Sequence, residues 1–409
     1  MGFGPMTSTI AVNSKSRKES APMTNNRSTI SGVGAVTGYG WGREALWNGL
    51  VSGKSAAALH EGFGFGSDDH GGPGWIVRVP EGGDQADGNT RFARAMRSAA
   101  REAIEDASER GWRPGSRVGL VHACVLGDLD MYPMVTSGVG QYRGRQYLSV
   151  TPSTPVSLLM QEYGFHGPAM NVSAMCTSGS AAIVTAKSWL DSDLVDDVLV
   201  VATDLSAKPE VVGMFVQLGV AVTDTDALDA CRPFQTGSRG FTFGEAAIAF
   251  TMTNRAIDGY ADVLGGAMSH DAYHVTSVDP ELTNVVGCVE QALSAAGVAG
   301  EEIRYLNAHG PGTRQCDRAE ATIAETMLPN SEVFSVKPLA GHCQGAAGAV
   351  ELAASLLGYD RGEIPATPRV SEGIPQLLDG LSPLDAGPTV KTSLGMGGHN
   401  AALVIAPQR

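Results

Sequence analysis

Several things this chain lacks narrow its chemistry before any motif is read. Its 29 lysines and arginines stand against 43 aspartates and glutamates, a formal charge of −14. The positive surplus that neutralises a phosphate backbone is missing, which excludes non-specific nucleic-acid binding. No stretch approaches the roughly 18 consecutive apolar residues of a membrane span, so no membrane-embedded segment is expected. The six cysteines, at positions 124, 176, 231, 288, 316 and 343, include no Cys-x-x-Cys pair, which argues against a structural zinc site. Nor do they read as a disulfide framework in a chain of this length, and reduced thiols in a cytoplasm fit best. The Gly-x4-Gly-Lys-Ser/Thr, His-Glu-x-x-His and Gly-x-Ser-x-Gly signatures are all absent. The 52 glycines follow no three-residue period, so a collagen-like helix is excluded and many tight turns or close backbone contacts are implied.

What is present is a globular composition, with 43% hydrophobic and 18% charged residues. Residues 1–27 are polar and carry no apolar core of the kind a secretory signal needs. They are read as a flexible extension outside the fold. From Ser28 onward, short apolar runs recur at 118–125, 198–203, 247–252, 303–307, 333–336, 390–394 and 402–405. Near-continuous apolar runs of this length suit strands buried on both faces. Helical patterns alternate with them. Phe92, Met96, Ala99, Ala100, Ala103 and Ile104 share one face, as do Ala349, Leu352, Ala353 and Leu356, and Gly358 is placed as the stop of that second helix. Alternating strands and helices imply an α/β architecture with covered sheets. Residues 62–88, rich in Gly, Asp and Ser around a short apolar run at 75–79, read as a surface excursion. Polar residues after 253 divide the globular part into unequal halves, 28–255 and 256–409.

Gly32 and Gly34 suggest a dinucleotide loop, but the third glycine, Gly38, stands one place too late for Gly-x-Gly-x-x-Gly. A tight turn packed on a helix is the preferred reading. The informative segment is Cys176 at the junction of a strand-like stretch and a helix of small residues running toward Leu190. A thiol at a helix N-terminus feels the positive end of the dipole, which favours thiolate, and small neighbours leave the sulfur approachable. His309 and His342 each sit in a glycine-flanked loop after a strand, where α/β sheets collect their chemistry. A third such loop spans Gly395, Met396, Gly397 and Gly398. The spacing of the cysteine and the histidines gives no short ligand pair, so no metal is expected. His60, His70, His122, His166 and His270 are assigned structural or surface places.

Taken in order, the Cys-Thr-Ser-Gly turn at 176, the Asn-Ala-His-Gly loop at 307, the Lys-x4-His-x2-Gly-Ala loop at 337 and the final Gly-x-Gly-Gly loop resemble the β-ketoacyl synthases, the condensing enzymes of fatty-acid and polyketide assembly. The stretch Thr313, Arg314, Gln315, Cys316, Asp317, Arg318, Ala319, Glu320 and the turn at Cys176 are most similar to discrete ketosynthase subunits of type II polyketide systems, with fatty-acid elongation synthases of the same family as the alternative. The resemblance implies a thiolase-like α/β fold, two similar βαβ-type halves in a five-layer αβαβα arrangement, the first carrying the cysteine and the second both histidines. It implies that Cys176 holds the acyl chain, that His309 and His342 support decarboxylation of a malonyl thioester, and that Lys337 and Glu351 order them. Backbone amides of Cys176 and Met396 would form the oxyanion hole, and Thr276, Thr313, Met396 and Phe241 would line the substrate path. No cofactor is implied beyond the phosphopantetheine of an acyl carrier protein, the expected partner, together with a homodimer mate or a related subunit.

The chain departs from the family pattern at three places, one of them Ser238-Arg239 before Gly240, where Arg-Asp is usual and a local charge is reversed. Pro311 replaces a threonine of the histidine loop, and Met396 stands where the family usually has a gating aromatic residue. A deformable methionine there implies a more permissive acyl pocket. Carrier proteins are acidic, so a basic patch at the pocket mouth is expected, with Arg143, Arg145 and Arg239 as candidates. Two other readings stand beside the condensing enzyme. One is a non-catalytic chain-length partner, which would lack the cysteine; the other is an acyltransferase of the thiolase group that does not decarboxylate.

Overall fold

Residues 27–66, 69–132, 148 and 150–408 are described by the computed structural model. The extension up to residue 26, and Arg143 and Arg145, lie outside the described residues. The first half of the fold contains β1 (Ser28–Thr37), α1 (Arg91–Glu109), β2 (Val118–Ala123), α2 (Ser153–Tyr163), β3 (Ala169–Val172), α3 (Ser178–Asp191), β4 (Asp197–Asp204) and β5 (Ala246–Thr253). The second half repeats that order with β6 (Ala261–His270), α4 (Thr283–Ala296), β7 (Tyr305–Asn307), α5 (Arg314–Thr326), β8 (Glu332–Phe334), α6 (Ala347–Arg361), β9 (Thr389–Gly395) and β10 (His399–Pro407).

The strand order makes the repetition plain. The first half runs β3-β2-β4-β5-β1 and the second β8-β7-β9-β10-β6. In each, three strands are parallel and the last two antiparallel. The two sheets join edge to edge through a short antiparallel pairing of β1 with β6 at Ser28, Thr29 and Ile30. Helix α1 covers one outer face and α4 the other, while α3 and α6 lie between the sheets and touch both. This is the five-layer, thiolase-like αβαβα arrangement. Strands β1, β2, β4 and β5 are buried along their whole length, as their apolar runs require.

Glycine placement explains how tightly the layers pack. Gly32 and Gly34 do not form a turn; both lie inside β1. A Cβ on Gly34 would stand 2.0 Å from the carbonyl oxygen of Ala99 in α1, so the expected contact with a helix is present but the turn is not. In the middle layer, a Cβ on Gly179 of α3 would stand 2.8 Å from the Ala349 amide of α6, and one on Gly348 would stand 2.5 Å from Ser180 Oγ. Helix α6 also runs one turn past Gly358, to a left-handed Gly362 with φ 72°. Gly358 is kept inside the helix because a side chain there would meet the Glu363 carbonyl at 2.3 Å. The excursion at 62–88 is only partly superficial. Phe63, Ile76, Val77 and Val79 are buried, Val77 bonds the Phe243 carbonyl at 2.9 Å, and Arg91 closes over the segment by pairing with the buried Glu245 at 2.9 Å.

Candidate active site

The loops that leave the parallel strands at their C-terminal ends converge between the halves. Cys176 lies between β3 and α3, and His342 lies between β8 and α6, the corresponding place of the second half. Because α3 and α6 pack against each other in the middle layer, the loops before them are brought face to face. His309 follows β7, and Met396 follows β9. Cys176, His309, His342, Phe241, Thr276, Thr313 and Met396 all line one cavity of about 430 Å³.

Cys176 follows Met175, whose φ of 50° puts a non-glycine residue in the left-handed region. The turn is held by Ser178: its Oγ accepts from the Ala174 amide at 2.8 Å and donates to the Met175 carbonyl at 2.6 Å. Cys176 is 5% exposed, and its thiol contacts Gln344 Oε1 at 4.0 Å. Burial pushes the thiol up to about 11, against the opposing pull of the Lys337 charge and the Met396 backbone amide. The sequence-based expectation rests on the helix end alone; burial acts in the opposite direction on the thiol.

The histidines are held with their Nδ1 atoms occupied. The Lys337 ammonium has only donors, so at 3.1 Å from His309 Nδ1 it makes that nitrogen an acceptor. The Gln344 backbone N–H donates to His342 Nδ1 at 3.1 Å. Each neutral ring therefore carries its proton on Nε2. Burial first, then the Lys337 charge, holds both imidazoles well below the ordinary histidine range. The rings stand 5.4 Å apart, nearly perpendicular at 85°, and Phe241 packs against His342 at 4.5 Å. Lys337, 1% exposed, also bonds the His309 carbonyl and pairs with Glu351. The His309 loop is fixed from below by Glu320, which accepts from the His309 and Gly310 amides at 2.6 and 2.8 Å.

Other expected residues stand apart from this centre. Thr276 is exposed at the mouth, its hydroxyl on His274 Nδ1 at 3.1 Å. Thr313 is half-buried at the start of α5. Arg239 is exposed and paired with Asp224 at 2.8 Å. Arg314 and Arg318 are exposed and line a second cavity that shares Ser277, Val278, Arg314 and Gln315 with the first. Neither guanidinium has an ion-pair partner among the described residues. Sequence reasoning passed over Glu320, Gln344 and Lys391. Lys391 left a signal, a cation inside the apolar run at 390–394. Among the described residues no group of three or more His, Cys, Asp or Glu is placed to hold a metal ion, and no helix is long and apolar enough to cross a membrane.

Comparison with known proteins agrees along most of the chain. Residues 83–255 match the family model described as the β-ketoacyl synthase N-terminal domain, and residues 260–371 the β-ketoacyl synthase C-terminal domain. The tetracenomycin polyketide synthase ketoacyl synthase alpha subunit of Streptomyces glaucescens is 30% identical over 93% of this chain and 97% of its own. The chloroplastic 3-oxoacyl-[acyl-carrier-protein] synthase I of Hordeum vulgare is 26% identical over 98% and 93% respectively. A ketosynthase solved with its chain length factor from Xenorhabdus doucetiae superposes with a TM-score of 0.80 at 25% identity, covering 96% of this chain and 100% of the other.

Proposed function

The chain belongs to the β-ketoacyl synthase family and is a condensing enzyme, and from that premise we propose the course its reaction takes through the residues described above. An acyl thioester reaches the cavity on the phosphopantetheine of an acyl carrier protein. Cys176 sulfur attacks the thioester carbonyl, the C–S bond to the arm breaks, and the departing thiolate takes the proton that Cys176 gives up. The amides of Cys176 and Met396 receive the developing oxyanion.

A malonyl thioester then enters with its carbonyl between the two Nε2–H donors. Loss of CO2 leaves an enolate on that oxygen, and its carbon attacks the acyl group on Cys176. That attack forms the new C–C bond; collapse of the tetrahedral adduct restores the ketone carbonyl, breaks the C–S bond and expels Cys176 thiolate, which takes one proton from water. Lys337 and Glu351 hold His309 in the tautomer this requires. The two unpaired arginines, Arg314 and Arg318, flank the mouth on the side an acidic carrier would approach.

What carries this reading is the meeting in one cavity of a buried thiol and two imidazoles that both present Nε2–H. The retained cysteine argues against a non-catalytic chain-length partner, and the paired donors against a transferase that does not decarboxylate. Mass spectrometry tests the first step. After incubation with a panel of acyl carriers, the wild type is expected to gain the acyl mass on Cys176 and Cys176→Ala to gain none. An adduct on the variant would move the nucleophile elsewhere.

A further inference from the structure

Lys391 takes no part in the course set out above, yet it is 0% exposed. It sits in β9 beside Asn307 of β7 and Leu403 of β10. An ammonium in such a place needs partners, and it has three: an ion pair with Glu351 Oε2 at 2.6 Å, and hydrogen bonds to Ser393 Oγ at 3.3 Å and the Thr392 carbonyl. Glu351 is thus shared, one oxygen on Lys337 and the other on Lys391. The three N–H bonds of Lys337 are also spent, on Glu351, on the His309 carbonyl and on His309 Nδ1. Were Glu351 free to turn both oxygens toward Lys337, the bond to Nδ1 would be the one to yield. Lys391 prevents that by occupying the second oxygen.

We infer that Lys391 is a positioning residue of the condensing site, a buried cation that holds Oε2 of Glu351 and so keeps Lys337 on Nδ1 of His309.

Several charged or titratable groups face this cluster. Lys337 comes from the short helix Lys337–Ala340, Lys391 from β9, Glu351 from α6, and Glu320 and Asp317 from α5; His342 comes from the loop before α6. Lys337, His342 and Lys391 all act on His309 to disfavour its cation, after burial itself. Burial, joined by the Lys337 charge, holds Lys391 below the ordinary lysine range, and Glu351 and Glu320 act against that to retain its charge. Burial pushes the Asp317 carboxyl up to about 8. The two lysines therefore balance Glu351 and Glu320. Removing Lys391 leaves negative charge in excess, which favours the imidazolium of His309. That cation carries a proton on Nδ1 and would confront Lys337 donor to donor, breaking the arrangement at low pH.

The test is Lys391→Met, with Lys391→Arg as the conservative variant; Lys391→Gln, neutral but still a donor, replaces the methionine should that variant not fold. The first readout is the His309 titration by NMR in histidine-labelled protein, which does not depend on any activity. It is expected to move up by about one pH unit in the neutral variants and to return toward the wild-type position with arginine. The second readout rests on the condensing reading: CO2 release from malonyl carrier should lose about tenfold on its acid limb, with KM little changed. In a Glu351→Gln background the route through Glu351 is gone, so adding Lys391→Met should move the His309 titration less than it does with Glu351 present; an equal shift in both backgrounds would mean that Lys391 acts by its charge alone and would overturn the positioning role. A folded neutral variant with an unmoved His309 titration and an unshifted acid limb overturns the inference. A wild type that titrates as described but releases no CO2 would sink the condensing course instead.

Discussion

His342 shows how much one side chain owes to its surroundings. Its ring packs on Phe241, its Nδ1 is held by the Gln344 amide, and its backbone N–H donates to the Thr242 carbonyl at 2.8 Å. The remaining edge is Nε2–H, the donor that the proposed course gives to the enolate oxygen. Removing one such donor from a preorganised site costs about 10²–10³ in rate. His342→Ala is therefore expected to keep acyl loading on Cys176 while CO2 release from malonyl carrier falls by about that factor; unchanged release, measured with labelled malonyl carrier, would take this histidine out of the mechanism. Cys176 was legible as a candidate from the junction of a strand and a small-residue helix, and His309 and His342 from glycine-flanked loops. The burial that pushes the Cys176 thiol up was not, because only the helix end is visible in sequence. Lys391 was legible only as an oddity, since nothing local says that a lysine in a strand will find Glu351.

At the scale of elements, the small residues after Cys176 decide the site. Gly179 and Gly348 let α3 and α6 approach until backbone meets side chain, and the loops at their N-termini follow. Gly179→Val would force a branched side chain against the Ala349 amide, where even a Cβ stands at 2.8 Å. Overpacking of this kind costs about 1–3 kcal/mol. A lower midpoint in thermal unfolding together with slower alkylation or acylation of Cys176 is expected; a variant that melts and loads like the wild type would show that the helices have slack. The strands and the helices α1 and α6 were readable from periodicity, because burial on both faces or on one stripe writes itself into residue order. The stop of α6 was misread at Gly358, since a glycine needed for close approach to residue 363 looks the same as one needed for a left-handed cap. The glycines of β1 misled for the same reason.

For the whole molecule, the two halves leave one telling edge. β3 ends the sheet of the first half, and its residues Ala169 and Met170 are exposed, with Met170 at 41% and the nearby Leu158 at 38%. Among the described residues no strand pairs with the outer edge of β3, and such an edge beside apolar side chains is a place for a second chain to add its own strand. If a mate adds there, Met170→Asp is expected to lower the sedimentation coefficient toward that of a monomer, and an unchanged profile would rule this edge out as the contact. The sequence by itself determined the α/β class, the strand and helix runs, and the residues able to do thioester chemistry, because these depend on residue type and short-range spacing. Tertiary structure alone decided that loops from β3, β7, β8 and β9 face one cavity, that burial raises the Cys176 thiol, and that Glu351 lies between Lys337 and Lys391. Those facts come from contacts between residues far apart in the chain and from the low polarity they create, neither of which any local pattern encodes.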